Sequence, residues 1–399
     1  MVENINEEGE AARFRQDIRS LLRERVRAAI EITLEEELSE ALGCFAYERS
    51  EERVGYRNGK ERRLITTACG PKELDIPRGR LVREDGSSAE FRSALVPLYA
   101  RRTQEVDDAI LGAYLAGANS RRIKKALAPL LGEEHLSKSA VSRVVSRLKE
   151  LFARWSERDL SEECYAILFL DGFHLKVRLA RRVVSVPVLV VLGVTPDGTK
   201  VLVALRLAAS EAAEHWKWLI EDLKARGLQA PRYLVTDGHK GLGTALTAWP
   251  AVKVQRCVQH KWENLKKHCP VHAHDELRRD WHSIVRAESA TKAHKAYAAF
   301  ATKWARLVPA VARSLEEAGV QLLTFYELPK ALWSSVRTTN ALENLNREFR
   351  RRTKTQGSFA TEAAGVTLLW GLVAFGQIQL RRINGYRALQ LLLEVERAA

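Results

Sequence analysis

Two short apolar runs, each followed by Asp-Gly, constrain the fold of this chain more than any other feature. Residues 166–170 read Ala-Ile-Leu-Phe-Leu and lead into Asp171, and residues 233–236 read Tyr-Leu-Val-Thr and lead into Asp237. Such runs are typical of strands buried on both faces of a sheet. Asp-Gly is a common turn, but the carboxyl end of a buried strand is also where α/β proteins place catalytic acids and metal ligands. If the two strands are neighbours, the sequence predicts one site shared by both carboxylates.

The residues around these runs predict the rest of a mixed sheet. We expect residues 166–207 to form its first three strands, or four with a short extra piece. The predicted strands cover 166–170, 173–179, 183–194 and 200–207, and a helix over 212–226, a helix near 241–248 and a last strand over 252–255 accompany them. Hairpin strands first and alternating strands and helices afterwards predict an α/β domain with helices on the sheet's faces.

The segment before this sheet predicts a long helix and a small β element. Apolar spacing predicts a helix over residues 13–42. Residues 64–67 and 73–77 read as short strands on either side of Gly70-Pro71, and Tyr-Arg-Asn-Gly at 56–59 offers a turn. A β-hairpin is one interpretation of this region, and a simple linker is the other.

Between residues 106 and 152 the apolar spacing predicts three helices separated by short breaks. Ser120 and Ser137 are placed to cap the second and third helices. The basic residues on these two helices include Arg121, Arg122, Lys138, Arg143 and Arg147. This order is that of a helix-turn-helix, whose last helix can enter a DNA major groove. A solvated charged surface is the alternative interpretation.

The last third of the chain predicts helices only. Residues 261 to about 328 read as an all-helical insertion, and a further helix begins at or just after residues 338–340. That helix carries Glu343 and then a basic run that includes Arg347, Arg350 and Arg351. Such a run could grip phosphates, or it could be an exposed charged face.

The charge distribution predicts a polyanionic partner. The chain carries a net charge of +14, yet its first 50 residues hold twelve acids and seven bases, so the remainder carries +19. DNA, RNA and an anionic membrane surface all fit this excess. The acidic start of the chain argues against a signal peptide, and the lack of a long apolar run argues against a membrane span. The five scattered cysteines do not have the pattern of a disulfide framework. We expect a cytoplasmic protein.

Four strings, in order, resemble the Mutator-type transposases of bacterial insertion sequences. They are Leu-Asp-Gly (170–172), Thr-Asp-Gly-His-Lys-Gly (236–241), Cys-Val-Gln-His (257–260) and Arg-Thr-Thr-Asn-Ala-Leu-Glu-Asn-Leu-Asn (337–346). The likeness extends upstream through Tyr-Arg-Asn-Gly, Leu-Asp-Ile-Pro-Arg and Arg-Arg-Thr-Gln-Glu-Val-Asp-Asp-Ala-Ile, so it covers most of residues 50–380. No single string is specific, but the ordered combination is.

This resemblance implies a fold, a site and a reaction. The fold is a ribonuclease-H-like mixed α/β sheet with an all-helical insertion, and the site is a triad of Asp171, Asp237 and Glu343. The reaction is metal-dependent strand cleavage and strand transfer at the terminal inverted repeats of a mobile element. Three carboxylates suit two Mg²⁺ ions, for which Mn²⁺ can substitute. The partners are double-stranded DNA, with which we expect the protein to associate in the nucleoid, and at least one further copy of the chain, because joining two ends requires two protomers.

Together these observations predict six segments. They are an N-terminal helical segment (1–50), a β-hairpin region and linker (51–105), a helix-turn-helix domain (106–155), a catalytic domain (160–260 and 330–380), the helical insertion (261–329) and a C-terminal tail (381–399).

Further residues near the triad allow weaker assignments. The Cys257-x-x-His260 spacing could bind zinc, but we expect a structural pair that links the sheet to the insertion. Asn340 and Asn346 are candidates for orienting ligands. The tryptophans Trp262 and Trp281 are expected in the core, or else against a flipped base.

Two other functions fit the same residues. A nuclease of the same fold would cut without joining, and an inactive descendant of a transposase would only bind DNA. The intact triad argues against the inactive descendant, and the separate helix-turn-helix region and long insertion favour transposition over simple cutting.

Overall fold

The computed structural model describes residues 2–398 except 52, 84, 132–135, 180–181, 211, 239–248, 355–358 and 360. The chain divides into two compact units, Met1–Arg147 and Leu148–Ala399. The prediction of a mixed α/β protein is confirmed, because each unit combines helices with a sheet of its own. None of the helices in the described part of the chain is both long and apolar enough to cross a bilayer.

The first unit begins with a long helix packed on a three-stranded antiparallel sheet. Its elements are α1 (Val2–Leu42), β1 (Gly55–Thr67), β2 (Gly70–Val82) and β3 (Ser88–Glu90). Helix α1 buries Leu34 against Ile65 and Leu74 of the first two strands. The predicted hairpin is therefore present and longer than expected.

The expected turn at residues 56–59 is wrong. These residues lie within β1, where the register to β2 shifts between Arg57 and Lys60 and Gly59 takes a φ of +76°. A glycine followed by a bulge lets the strand continue, so the turn residues mark an irregularity and not an end.

Three helices complete the first unit and begin the second. They are α2 (Gln104–Leu115), α3 (Ser120–Leu131) and α4 (Lys138–Ser156), and the boundary between the units falls inside α4. Their apolar faces form one cluster around Ile110 and Ile123. The Ser137 hydroxyl accepts a hydrogen bond from the Ala140 amide at 3.1 Å, which confirms it as a helix cap.

The prediction of Ser120 as a cap is wrong. Ser120 is already the first residue of α3, and the Asn119 side chain accepts from the Arg122 amide at 3.0 Å in its place. Asparagine caps as well as serine does, and it stands one position earlier, so the helix starts there.

The second unit is built on a five-stranded sheet. Its strands are β4 (Ile167–Leu179), β5 (Arg182–Val194), β6 (Lys200–Leu207), β7 (Tyr233–Thr236) and β8 (Lys253–Arg256). They lie side by side in the order β6-β5-β4-β7-β8. The first three strands pair antiparallel, whereas β7 runs parallel to both β4 and β8.

Helix α5 (Ala213–Ala225) packs on the sheet through Trp216, Leu219, Ile220 and Leu223. These residues recur at helical spacing, and each buried side chain contributes about 1.5–3 kcal/mol. This apolar stripe therefore determines which way α5 faces. The helix predicted near 241–248 lies outside the described residues.

A group of helices follows β8 and has a core of its own. They are α6 (Val258–His268), α7 (His274–Val285), α8 (Ala290–Leu307) and α9 (Pro309–Ala318). Trp281, Phe300 and Trp304 fill that core, so the expected all-helical character of residues 261–328 is confirmed within the described residues. Short 3₁₀ turns and α10 (Trp333–Val336) then lead back to the sheet.

Three further helices end the chain. They are α11 (Asn340–Lys354), α12 (Glu362–Ala374) and α13 (Tyr386–Ala398). The segment expected as a tail (381–399) therefore contains a helix. Its residues pack on the chain, since Tyr386 lies against Gly198 and the Ile383 amide donates to the Gly198 carbonyl at 3.0 Å.

Candidate active site

The two aspartates of the candidate site follow directly on a pair of neighbouring residues in the sheet. Leu170 of β4 and Thr236 of β7 are the last partners in the parallel ladder between these strands. Asp171 is the next residue of β4 and Asp237 directly follows β7, so the ladder places the two aspartates next to each other. The expectation that the two strands are neighbours is confirmed.

Asp171 does not end its strand, as the sequence had suggested. β4 continues to Leu179, and Asp171 pairs across the antiparallel ladder with Val190 of β5. The long partner strand holds the Asp-Gly dipeptide in extended conformation and overrides its turn preference. What ends at Leu170 is only the pairing to β7.

Burial and a neighbouring charge act strongly on Asp171, whose exposure is 8%. Burial, and then the charge of Asp237, raise the pKa of Asp171 to about 7. Its Oδ2 accepts a hydrogen bond of 2.9 Å from the side-chain amide of Asn346, which is itself buried. The other amide atom, Asn346 Oδ1, is buried without a hydrogen-bond partner among the described residues.

Glu343 reaches the same site from helix α11. It lies in the first turn of that helix, where the helix dipole favours a negative charge. Phe349, two turns later, packs on Phe173 of β4 with ring centres 5.7 Å apart, and both rings are fully buried. Together with the Asn346–Asp171 hydrogen bond, this contact fixes the rotation of α11 relative to β4, so that the turn bearing Glu343 faces the aspartates.

Cys257 and His260 lie against Glu343 through Thr339. The Thr339 hydroxyl is 2.7 Å from Glu343 Oε1 and 3.4 Å from both Cys257 Sγ and His260 Nδ1. The Thr339 amide also donates to Cys257 Sγ at 3.4 Å. The start of α11 is thereby tied to the start of α6.

Cys257, His260 and Glu343 each direct one ligand atom into a space where these atoms lie within 4.8 Å of one another. A hydrogen bond to Cys257 is the main cause that raises the pKa of His260 to about 9, with Asp237 and Glu343 adding to it. Burial raises the pKa of Cys257, but hydrogen bonds with His260 and Thr339 outweigh burial and leave it lowered. These three residues could hold a metal ion, and without one His260 is favoured as a cation beside Glu343 and Asp237.

An ion-pair network contacts Gly238, the residue after Asp237. Arg256 of β8 donates from Nη2 to the Gly238 carbonyl at 2.9 Å and from Nη1 to Glu317 at 2.8 Å. Lys261 of α6, only 3% exposed, also reaches Glu317 at 2.7 Å. Glu317 belongs to α9. The group of helices α6 to α9 therefore supplies the counter-charge for Arg256, which in turn holds the residue after Asp237.

The predicted DNA-contacting residues occupy exposed positions on three helices. Arg121 and Arg122 lie on α3, Arg143 and Arg147 on α4, and Arg347, Arg350 and Arg351 on α11. Lys138 begins α4, and its side chain lies outside the described part of the chain. On α11, Arg351 pairs with Glu348 at 2.6 Å, and the Arg350 guanidinium is 5.8 Å from the Phe173 ring centre.

Comparison with known proteins settles the family of this chain. The family model described as "Transposase, Mutator family" matches residues 2–377. The chain belongs to this family.

Two relatives match this chain over most of its length. The chain is 33% identical to the transposase for insertion sequence element IS905 of Lactococcus lactis over 357 residues, which cover 88% of this chain and 87% of the relative. It is 34% identical to the transposase for element IS406 of Burkholderia multivorans, with coverage of 85% and 86%. Among solved structures, the Drosophila P element transposase strand transfer complex aligns with 79% of this chain and 87% of its own, at 12% identity and a TM-score of 0.30.

Some site residues of this Mutator family member escaped sequence reasoning. Asn346 was named as a candidate for orienting ligands, but its contact to Asp171 depends on the rotation of α11 and could not be derived. Thr339 lies within a quoted motif, yet nothing in the sequence indicates that it contacts both Cys257 and Glu343. Arg256 and Glu317 are 61 residues apart, and only the fold brings them together.

Proposed function

We propose that this chain is a DNA transposase that binds the ends of a mobile element. Its proposed active site, which cuts and joins DNA strands, consists of Asp171, Asp237 and Glu343. The observation that carries the proposal is the meeting of two strands and one helix. The two aspartates follow the last pair of the β4–β7 ladder, and the helix of Glu343 is tied to Asp171 by the 2.9 Å bond from Asn346. Membership of the Mutator family and the names of its relatives support the reaction.

We propose a ribonuclease-H-like arrangement for the sheet of the second unit. Three antiparallel strands followed by two parallel ones, with helices inserted before the last acid, support this assignment. The carboxylates lie where the antiparallel part of the sheet meets the parallel part. The strand order also reverses there, because β5 and β6 lie on one side of β4 whereas β7 and β8 lie on the other, and open sheets bind ligands at such switch points.

The three carboxylates fit divalent metal ions, and we propose Mg²⁺ with Mn²⁺ as a substitute. The fit rests on the carboxylate oxygens themselves and on the buried Asp171, whose pKa is raised first by burial and then by the charge of Asp237. Hard oxygen donors of this kind suit Mg²⁺. Bound there, the ions would stabilise the charge that develops on the oxygens around phosphorus.

The chain's own residues have separate roles in this proposal. Asn346 holds one oxygen of Asp171, and Thr339 holds one oxygen of Glu343. We propose that Cys257 positions the start of α11 through Thr339, and that His260 provides positive charge beside the carboxylates. Arg347, Arg350 and Arg351 continue along the same helix and are proposed to hold phosphates on either side of the bond that is cut.

We further propose that α2, α3 and α4 form a helix-turn-helix that recognises the element's ends. The capped helices with exposed arginines on α3 and α4 support this role. Joining two ends then requires a homodimer or a larger assembly.

The triad is tested by three conservative variants that keep the shape of each side chain. For Asp171→Asn, Asp237→Asn and Glu343→Gln, we expect cleavage and strand transfer to fall by at least roughly a hundredfold, since stabilisation in the transition state is lost. DNA affinity and the thermal midpoint of the metal-free protein should be maintained or rise. Labelled duplexes with Mg²⁺ or Mn²⁺, gel shifts and thermal melts measure the three quantities.

Glu288→Gln is the matched control, because this glutamate of the same unit has a side chain that is 75% exposed. Near-normal cleavage by any triad variant would contradict the assignment at that position. Wild-type protein that cuts without strand transfer would identify a nuclease. Wild-type protein that binds without cutting would identify an inactive descendant.

A further inference from the structure

A small pocket lies beside the candidate active site and is assigned no role by the proposed function. It has a volume of about 260 Å³ and lies between α6, α7 and the segment that enters α11. Its polar and aromatic lining includes Gln259, Trp262, Arg278, His282, Arg286 and Arg337. We call it the arginine pocket.

The arginine pocket shares a wall with the cluster formed by Cys257, Thr339 and Glu343. Thr338 and Asn340, which flank Thr339, both line it, and so does Val258, which follows Cys257. The Val258 amide donates to the Arg337 carbonyl at 3.0 Å, so the wall is held by a backbone hydrogen bond. Asn340 begins α11, and Glu343 lies in the first turn of the same helix.

The residues that line the pocket carry an excess of positive charge. Among the described residues that line it there are three arginines and no carboxylate. The carboxylate nearest to Arg278 in the described chain is that of Asp275, at 3.7 Å with a side chain 89% exposed, and such a pair provides little neutralisation. Burial, and then Arg286 and Arg278, lower the pKa of His282, which agrees with a positive local potential.

Two stacked tryptophans form part of the pocket's lining. Trp262 and Trp281 stack with ring centres 6.5 Å apart, and Trp281 is 3% exposed in the core of the helical segment. The volume is smaller than the roughly 300–1,000 Å³ of clefts that take drug-sized ligands. It suits one tetrahedral anion with part of its substituents better than a whole organic cofactor.

We propose that the arginine pocket binds one backbone phosphate of the DNA strand, close to the phosphate that is cut. Guanidinium groups form paired hydrogen bonds with phosphate oxygens, which makes arginine the preferred residue for this contact. The inference rests on the proposed function, because a DNA strand must lie at the carboxylates for a neighbouring phosphate to reach the pocket. It assigns the helical segment a direct contact with the substrate.

The test replaces single phosphates and single arginines and measures whether the two effects are coupled. The probe is a duplex that spans the junction between the element encoding this chain and its flanking DNA, in which each phosphate near the cut is replaced in turn by a neutral methylphosphonate. Affinities are measured by anisotropy with Ca²⁺ for the full-length wild type, Arg278→Ala and Arg286→Ala. Arg279→Ala is the matched control, because it is an exposed arginine of the same helix that does not line the pocket.

We expect the wild type to lose roughly tenfold in affinity at one or two substituted phosphates. Arg278→Ala and Arg286→Ala should bind the unmodified duplex correspondingly more weakly and should be insensitive to those same substitutions. The slope of log affinity against log salt should fall by about one in each. Arg286→Lys should recover part of the affinity, and all variants should keep the wild-type thermal midpoint.

If both variants are as sensitive as the wild type to every substituted phosphate, the pocket assignment is overturned. An equal effect of Arg279→Ala would overturn it too, because it would reduce the contact to general surface charge. A wild-type protein that does not cut the junction duplex at all would overturn the proposed function and the pocket with it. If the wild type cuts the duplex but no phosphate substitution is coupled to an arginine substitution, the pocket assignment alone is overturned.

Discussion

Asp171 is a buried carboxylate beside a second one, and the metal-free protein accommodates it by retaining a proton. Its pKa is raised to about 7, whereas an aspartate in an unfolded chain titrates near about 3.9. Between these two values the native state binds a proton that the unfolded state has lost. The free energy of unfolding should therefore fall as pH rises through this interval.

We expect Asp171→Asn to stabilise the metal-free protein at pH 8 and to have little effect at low pH. Each unit of pKa shift corresponds to about 1.4 kcal/mol, so the gain at pH 8 should approach about 4 kcal/mol as an upper limit. Thermal or urea unfolding in EDTA at several pH values measures it. A difference between variant and wild type that does not change from about pH 4 to pH 8 would contradict the argument.

At the scale of single residues, the sequence indicated which side chains form the proposed triad but not how they are held. Asp171, Asp237 and Glu343 are proposed because apolar runs followed by Asp-Gly and ordered motifs mark them in the chain. The hydrogen bond from Asn346 to Asp171 could not be predicted, since it depends on the packing of Phe349 against Phe173. Side-chain partners from distant elements follow from packing geometry, which leaves no local pattern in the sequence.

At the scale of elements, β7 leads into a glycine position that has no room for a side chain. Gly238 has a φ of +81°, and a Cβ added there would lie 2.1 Å from Arg256 Nε. The Arg256 guanidinium cannot move away freely, because it is held by Glu317 and by the Gly238 carbonyl. A side chain at this position would displace the backbone that carries Asp237.

We expect Gly238→Ala to lower the free energy of unfolding by about 1–3 kcal/mol and to abolish most cleavage. Gly319→Ala is the matched control, because Gly319 also has a positive φ, of +58°, yet nothing lies within 4 Å of its added Cβ. The control should lose stability through backbone strain but keep its cleavage rate. Equal activity in the two variants, measured at a temperature where both are folded, would show that Gly238 does not position Asp237.

The elements themselves were predicted better than their ends. The predicted strands over 166–170 and 173–179 are one strand, because pairing to β5 carries β4 through Asp171 and Gly172. Periodicity detects the apolar alternation on each side of the dipeptide but cannot detect the partner strand that keeps it extended. The same reason explains the turn wrongly expected at residues 56–59, where β2 holds β1 extended across a bulge.

For the whole molecule, recognition and chemistry are proposed to use different parts of the chain. Arg143 is exposed on α4, within the first unit, whereas all three acids belong to the second. We expect Arg143→Ala to weaken binding to end DNA by roughly 1–3 kcal/mol, as for loss of one specific contact. Gel-shift titration with end duplexes, repeated for Lys138→Ala and Arg147→Ala, measures the effect.

Arg92→Ala provides the comparison, since Arg92 is exposed in the same unit but lies outside the three helices. Unchanged affinity in all three helix variants would exclude this region as the reader of the element's ends. A loss in all of them that Arg92→Ala shares would point to non-specific attraction instead.

Sequence reasoning reached the fold class and the family at this scale because both depend on the order of elements and motifs along the chain. It divided the chain into six segments, while the structure groups them into two compact units whose boundary falls inside a helix. Compactness is a property of contacts between distant residues. Composition and periodicity do not report those contacts.

The network around Glu317 shows that the helices after β8 help to stabilise the sheet. Arg256 belongs to the sheet and is 8% exposed, and the carboxylate that neutralises it is supplied by α9. Gln255, on the same strand, accepts a hydrogen bond of 2.7 Å from the Phe325 amide, beyond the inserted helices. Excising those helices and rejoining the sheet would leave a buried cation without its partner. A shortened, engineered version of this protein must therefore redesign the edge strand as well.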